Sequence, residues 1–390
     1  MKAPTTVFEI LCLLGRRRLS DADAARLADA FASPAFDGDA LLTEAERHGL
    51  MPLTYRHLIA EGDFDLPPAL RERLMQTFRA HAISRFAYAR RLRELLALLS
   101  DAGIPALPYK GPALAIQVYG HYAARQYGDI DILVRPEQAV DALRALLDAG
   151  LRQGRPLPPQ WDRHLRRLRH SYEVRDPQTG VTVDLHWALA DRYQDWDLTP
   201  EWLMQDGVTV NLLGAPVRAM NPERQLLALT VHGTRHLWER LAWLAEVAEL
   251  IRANPDLDWD LVFAQARHIG FARALRVSLL LMRALFEVSP PEPRMSAVMR
   301  DRVAQRLADE LLAQLRSEQG VATALPDKFR FGWRVREGLI ARLRFAWSVA
   351  SQPSENDMRH RHGSPFVAWL ARPLRLGRKG LSQWRRARGH

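Results

Sequence analysis

The sequence predicts an α+β protein in which a small mixed β-sheet is flanked by N-terminal and C-terminal helical regions. Three observations predict it. Apolar residues recur at threes and fours over residues 22–32, 41–60 and 69–101, the period of amphipathic helices. Segments of alternating or β-branched character, bounded by glycine and proline, cluster between about 104 and 220. From 221 the helical period returns and continues to about 318.

Taken in order, the opening MKAPTTVFEILCLLGRRRLS reads as a helix of the mature protein. Glu9 interrupts its apolar run, three arginines follow it, and no small-residue cleavage site is present, so it does not fit a secretory signal. Pro67 and Pro68 open the long helix that runs to Gly103, with proline at a position where its missing amide costs nothing. "IPALPYKG" is short and extended, "PALAIQVYG" is a helix closed by Gly120, and "DIDILV" is a strand. "PEQAVDALRALLDAG" starts a helix on proline and ends it on Gly150. "SYEVRDPQTGVTVDLHWAL" reads as two strands around a Pro/Gly turn, and 208–220 as a short hairpin. Asn221 caps the first of five expected helices, at 222–238, 240–253, 258–268, 271–287 and 295–318. The chain therefore divides into an N-terminal helical region (1–103), a sheet-bearing core (104–220), a C-terminal helical region (221–320) and a helical extension with a basic tail (321–390).

Composition narrows the class. With 390 residues, 47% hydrophobic and 26% charged, the chain has ample material for packed cores and is not a disordered sequence. Cys12 is the single cysteine, which excludes an internal disulfide framework and a thiolate zinc cluster and fits a cytoplasmic location. No apolar run approaches the ~20 residues of a transmembrane helix. The formal charge is +10, and Arg372, Arg375, Arg378, Lys379, Arg385, Arg386 and Arg388 lie with no acid in residues 366–390. Interleaved with Trp369, Leu370, Leu374, Leu376 and Trp384, this tail suits RNA or an anionic membrane surface. A solvated, frayed terminus is the other reading.

The chemistry concentrates in "GDIDILV". Side chains two apart on a strand share a face, so Asp129 and Asp131 project together while Ile130, Ile132 and Val134 pack behind. Neighbouring carboxylates repel unless a cation or proton lies between them, and Mg²⁺ takes oxygen ligands from such pairs. In "VTVDLHW", Asp184 and His186 share one face opposite Val181, Val183, Leu185 and Trp187. If the two strands are neighbours, three carboxylates converge and can hold two Mg²⁺ ions about 3.5–4 Å apart, as in phosphoryl or nucleotidyl transfer. The alternative is that Asp129 and Asp131 cap backbone amides at a strand-end turn.

Upstream, "PYKGPALAIQVYGHYAARQYGDID" resembles the polymerase-β-type nucleotidyltransferase superfamily. It is most similar to an uncharacterised bacterial branch with "KG-x-A-L", an arginine, and then "DIDxLV". The matching residues are Lys110-Gly111, Ala113-Leu114, Arg125 and Asp129-Ile130-Asp131, and the resemblance spans about 40–290. It implies a metal-binding triad of Asp129, Asp131 and Asp184, with ATP as the expected nucleoside triphosphate. It also implies an acceptor that is a small molecule, peptide or sugar precursor. Glycine at 111 allows close backbone approach to a phosphate, and the following helix start favours anions. Lys110 offers a compact charge, and Arg125 either grips a phosphate or pairs with an acid. "LTVHGTRHLWERLAWLAEVAELI" matches a further segment of the branch, except that Glu246 stands where aspartate is usual. His232 and His236, four apart on one helix face, either border the site or pack beside Trp238 and Trp243. They lack the glutamate of a zinc-protease motif and a third ligand.

No phosphate-loop, nucleophile-elbow or dinucleotide fingerprint is present. The sequence thus points to a Mg²⁺-dependent nucleotidyltransferase. The alternative is a non-catalytic nucleotide-binding or interaction module of the same fold.

Overall fold

In a computed structural model, residues 6–62, 64–154, 169–190, 196, 198–317, 320–321 and 324–351 are described. The basic tail at 366–390 lies outside the described residues.

The N-terminal region folds as α1 (Val7–Leu14), α2 (Asp21–Phe31), α3 (Gly38–Arg47), α4 (Met51–Tyr55) and α5 (Pro68–Asp101). Ser20 and Asp23 form a reciprocal capping box at the start of α2, satisfying two amides that the helix leaves unpaired. The single helix expected over 41–60 is divided. Gly49, at φ +75°, ends α3, and a π-turn at Arg56–Ala60 follows α4.

The core contains β1 (Ala106–Pro108), α6 (Gly111–Tyr119), β2 (Asp129–Val134), α7 (Ala139–Asp148), β3 (Arg152–Gln153), β4 (Ser171–Arg175) and β5 (Thr182–His186). A tight turn of 3₁₀ helix, Pro136–Gln138, leads into α7. The strand order is β1-β2-β5-β4-β3, with β2 and β5 parallel and the other pairs antiparallel. One sheet face is apolar throughout. Ile130, Ile132, Val134, Val174, Val183 and Leu185 form one buried cluster with Ala89, Leu92, Leu95 and Leu99 of α5 and Ala142 and Leu146 of α7. That cluster anchors the sheet and leaves its opposite face to carry chemistry.

After a short helix, α8 (Pro200–Leu203), the hairpin β6 (Val208–Leu212) and β7 (Ala215–Ala219) forms its own two-stranded sheet. Leu213 and Gly214 both take positive φ, 54° and 80°, the two-residue turn that matches strand twist. The C-terminal helices are α9 (Pro222–Arg235), α10 (Leu241–Ala253), α11 (Trp259–His268), α12 (Ala272–Phe286), α13 (Arg294–Met299), α14 (Arg302–Leu315), α15 (Leu325–Val335) and α16 (Leu339–Ser351). They share one core with the N-terminal helices, in which Leu11 and Leu14 join Leu275, Leu279 and Phe286.

Two expected helices are shorter in the structure, each for a local reason. The helix expected at 222–238 stops at Arg235 because Leu237 and Trp238 adopt φ of 54° and 55°. Trp238 folds beneath Gly233, where a Cβ would lie 2.3 Å from the indole, so only glycine fits. The helix expected at 295–318 breaks near Arg300 because Asp301 accepts hydrogen bonds from the amides of Val303 and Ala304 and starts α14 anew.

Candidate active site

The parallel register of β2 and β5 sets the site. Asp131 stands directly beside Asp184, Ile132 beside Leu185 and Leu133 beside His186. Paired residues in a parallel ladder point to the same face, so Asp131 and Asp184 emerge together on the face opposite the apolar cluster. Ligand atoms of Asp131, Asp184 and His186 all lie within 4.8 Å of one another. Asp129, two residues earlier on the same face, stands beside Thr182 and is outside that tight group.

Asp131 is the hub. Its Oδ1 lies 3.0 Å from Lys110 Nζ and 3.0 Å from His186 Nε2. Burial opposes its charge, yet Lys110 and His186 hold its carboxyl well below the usual range. Burial likewise opposes the charge on Lys110, but Asp131 holds its ammonium above the usual lysine value. On Asp184 the pull of Lys110 is outweighed. Burial, reinforced by Asp131 and Asp129, pushes its carboxyl up to about 7. Asp129 is raised too, by burial and by Asp131. Burial lowers His186 despite its contact with Asp131, so the ring is neutral.

This is a crowd of carboxylates under-supplied with positive charge. Asp131 Oδ2 and His186 Nδ1 are buried without a hydrogen-bond partner. A divalent cation would satisfy the unmet oxygen and relieve the repulsion felt at Asp184, and carboxylate oxygens are the donors that Mg²⁺ or Mn²⁺ selects. The residues present therefore fit such an ion.

Lys110 and Gly111 connect β1 to α6. Gly111 has φ +54°, a conformation that disfavours side chains, and a Cβ there would be 3.4 Å from the Asp129 carbonyl. No side chain caps the start of α6, so the amides of its first turn lack a side-chain acceptor, a helix start that favours anions. Lys110 also lies 4.9 Å from the Tyr109 ring, which packs edge-on against His186 at 5.3 Å.

Arg125 is buried, and its Nε donates to Glu246 Oε1 at 2.6 Å. Of the two roles the sequence allowed, pairing with an acid is the one made here, and that acid is interior. Glu246 Oε2 has no partner. His232 and His236 form an aromatic group with Trp243, at centroid distances of 4.8, 5.0 and 5.3 Å. Burial, with Lys110 nearby, keeps His232 far below its ordinary value, and burial with Arg235 lowers His236 to about 3. Both rings are neutral packing groups on the Lys110 side of the site, and neither belongs to the metal-competent group.

Sequence reasoning missed Arg85. Its guanidinium lies over the rings of Tyr88 (4.4 Å) and Tyr127 (4.6 Å), while its Nε and Nη1 have no hydrogen-bond partner. Tyr88 Oη in turn donates to the carbonyl of Gly128, the residue before Asp129. The signal in the sequence was an arginine three residues before a tyrosine on one helix face, too common a pattern to single out.

Residues 34–287 match the model of a family described as uncharacterised nucleotidyltransferase. Among curated protein sequences none matches. Similar solved structures include the antibiotic-resistance factor ANT(2'')-Ia, at 16% identity over 55% of this chain and 95% of that one, with a TM-score of 0.28. An antigenic nucleotidyltransferase-like protein from Paracoccidioides brasiliensis is 16% identical over 56% and 92% of the two chains, with a TM-score of 0.31. A STING-associated CdnE c-di-GMP synthase from Capnocytophaga granulosa is 11% identical over 87% and 96%, with a TM-score of 0.27. TM-scores this low carry no weight for this chain; the family match does.

Proposed function

Because this chain belongs to the uncharacterised nucleotidyltransferase family, we propose that it is a Mg²⁺-dependent nucleotidyltransferase. In this reading it moves a nucleoside monophosphate from a nucleoside triphosphate, with ATP the first choice, to an acceptor hydroxyl and releases pyrophosphate. The observation that supports it best is the side-by-side placement of Asp131 and Asp184, with an unmet carboxylate oxygen on the first and a strongly raised carboxyl on the second.

Mg²⁺ held by Asp129, Asp131 and Asp184 would supply charge neutralisation of the triphosphate and acidify the acceptor hydroxyl. The chain's own groups do the rest. The start of α6 and the Lys110 ammonium receive phosphate oxygens, and glycine at 111 lets them approach. Glu246 holds Arg125 charged in the interior. The acceptor oxygen bonds to the α-phosphorus as the bond to the bridging α–β oxygen breaks. Pyrophosphate leaves with that electron pair, and the hydroxyl proton passes to an Asp184 carboxylate oxygen. The apolar wall behind the strands keeps the carboxylates fixed and partly dehydrated. The acceptor is taken to be a small molecule, a peptide or a sugar precursor.

The test is to incubate the full chain with Mg²⁺, ATP labelled on the α-phosphate, and a cell extract or fractionated acceptors. Labelled product is expected from the wild-type protein, with a loss of ~10²-fold or more in Asp184→Asn. Equal labelling by that variant would reject the mechanism. No labelling by any nucleoside triphosphate would reject the activity.

A further inference from the structure

We propose, resting on the reading of β2 and β5 as a cation site, that His186 is itself a ligand of the ion. The site then offers nitrogen as well as oxygen and takes Mn²⁺ ahead of Mg²⁺. Among the described residues, the group able to hold one ion is Asp131, Asp184 and His186, with ligand atoms all within 4.8 Å of one another. Asp129 stands outside that group.

Strand alternation brings the ring there. His186 ends β5 two residues after Asp184 and leaves the sheet on the same face, opposite the apolar wall of Val183 and Leu185. The residue is 3% exposed, with its ring edge-on against Tyr109 at 5.3 Å and tilted against His170 at 5.5 Å. Flanked in this way the imidazole has little room to swing, and its Nε2 stands 3.0 Å from Asp131 Oδ1. In an octahedral shell with bonds of ~2.1 Å, adjacent ligand atoms are about 3 Å apart and opposite ones about 4.2 Å. The 3.0 Å contact matches one edge of such a shell, and a spread of 4.8 Å for the whole group leaves little to close.

The competing role for His186 is to donate a proton to Asp131 and do nothing more. The accepting oxygen, Oδ1, already lies 3.0 Å from the Lys110 ammonium, so a second donor there duplicates the first. Asp131 Oδ2 and His186 Nδ1 meanwhile stay buried with no hydrogen-bond partner, which is costly for any polar atom. A cation held jointly by the ring and the carboxylates gives this group the partner it lacks. Mg²⁺ keeps its water and selects oxygen, whereas Mn²⁺ accepts imidazole and carboxylate alike, so a nitrogen donor moves the balance towards Mn²⁺.

The experiment is pulsed electron paramagnetic resonance of Mn²⁺ bound to the full chain, read for modulation by a coordinated nitrogen nucleus. The proposal expects that modulation in the wild-type protein, its loss in His186→Gln and its survival in His170→Gln. Mn²⁺ affinity should fall about 10-fold or more in His186→Gln, while Mg²⁺ affinity falls much less. A residue that only positioned Asp131 would weaken both ions alike. Incorporating ¹⁵N-histidine into the wild-type chain should shift the modulation to the ¹⁵N frequencies, a readout that needs no variant to fold, and an unshifted signal overturns the proposal. Mn²⁺ bound without nitrogen modulation overturns it and leaves the carboxylate site standing, whereas a wild-type chain that binds no Mn²⁺ removes both. Modulation that survives in His186→Gln, or equal losses of Mn²⁺ and Mg²⁺ affinity in that variant, also overturns it.

Discussion

Replacing Asp184 by asparagine should destroy activity and, in the absence of divalent cations, make the protein more stable. In an unfolded chain an aspartate titrates near pH ~3.9, whereas burial together with Asp131 and Asp129 pushes the folded Asp184 carboxyl up to about 7. Between those values the folded state binds a proton that the unfolded state has released, so stability falls as pH rises through that window. The full difference of about three pH units corresponds to roughly 4 kcal/mol, with the greatest loss above neutral pH. Asparagine has the shape of the protonated acid and does not titrate. Urea unfolding in chelator should therefore show wild-type stability dropping between pH 5 and 8 by about 2.5 kcal/mol, the share of that amount that falls above pH 5, with a distinctly smaller drop in Asp184→Asn. Adding Mg²⁺ at pH 8 should restore the wild-type protein and leave the variant unchanged, because a cation that binds only the folded state stabilises it. If the two proteins lost stability in parallel across that range, the repulsion attributed to Asp131 and Asp129 would not exist.

Arg125 and Glu246 are 7% and 2% exposed by side chain, so Glu246→Leu should strand a buried guanidinium at a cost of about 3–5 kcal/mol. Adding Arg125→Leu should recover most of that loss, and simple additivity in the double-mutant cycle would show that the pair is not coupled. His48 is fully buried, and burial together with Arg47 lowers it to about 4, so its contribution to stability is complete above the unfolded value of ~6.5 and lost as pH falls towards 4. His48→Gln should shrink the acid-side loss by up to about 3 kcal/mol in urea titrations at pH 7 and 4.5, and an unchanged slope would contradict the assignment. Gly233→Ala would drive a methyl into the Trp238 ring, so a loss of roughly 1–3 kcal/mol and a lower melting temperature are expected, and a neutral effect would count against that packing.

The parts of the fold that were legible in the sequence are those governed by neighbours along the chain. Alternation alone placed Asp129 and Asp131 on one face of β2 and assigned Ile130, Ile132 and Val134 to the buried side, where all three are found. Glycine after an apolar run marked the end of α6 at Gly120, which is left-handed at φ 79°. What periodicity cannot carry is the relation between distant segments. Whether Asp184 stands beside Asp131 depends on the register of β2 against β5, which the sheet sets through packing on α5 and α7. The partner of Arg125 lies 121 residues away, and nothing local in "AARQYG" names it. Leu237 and Trp238 sit at positive φ, a conformation that both residue types disfavour, because the interior of the helical core rewards burying the indole under Gly233. Residues such as these look helical until the fold around them is known.

The most direct measurement is titration of the full chain with Mn²⁺, followed by electron paramagnetic resonance of the free ion, for the wild-type protein and for Asp184→Asn. The account predicts saturable binding by the wild-type chain that competes with Mg²⁺ and weakens by about 10-fold or more in the variant, which keeps its fold. Wild-type protein that binds no Mn²⁺, or a variant that binds it as tightly as wild type, would contradict a cation site built on β2 and β5.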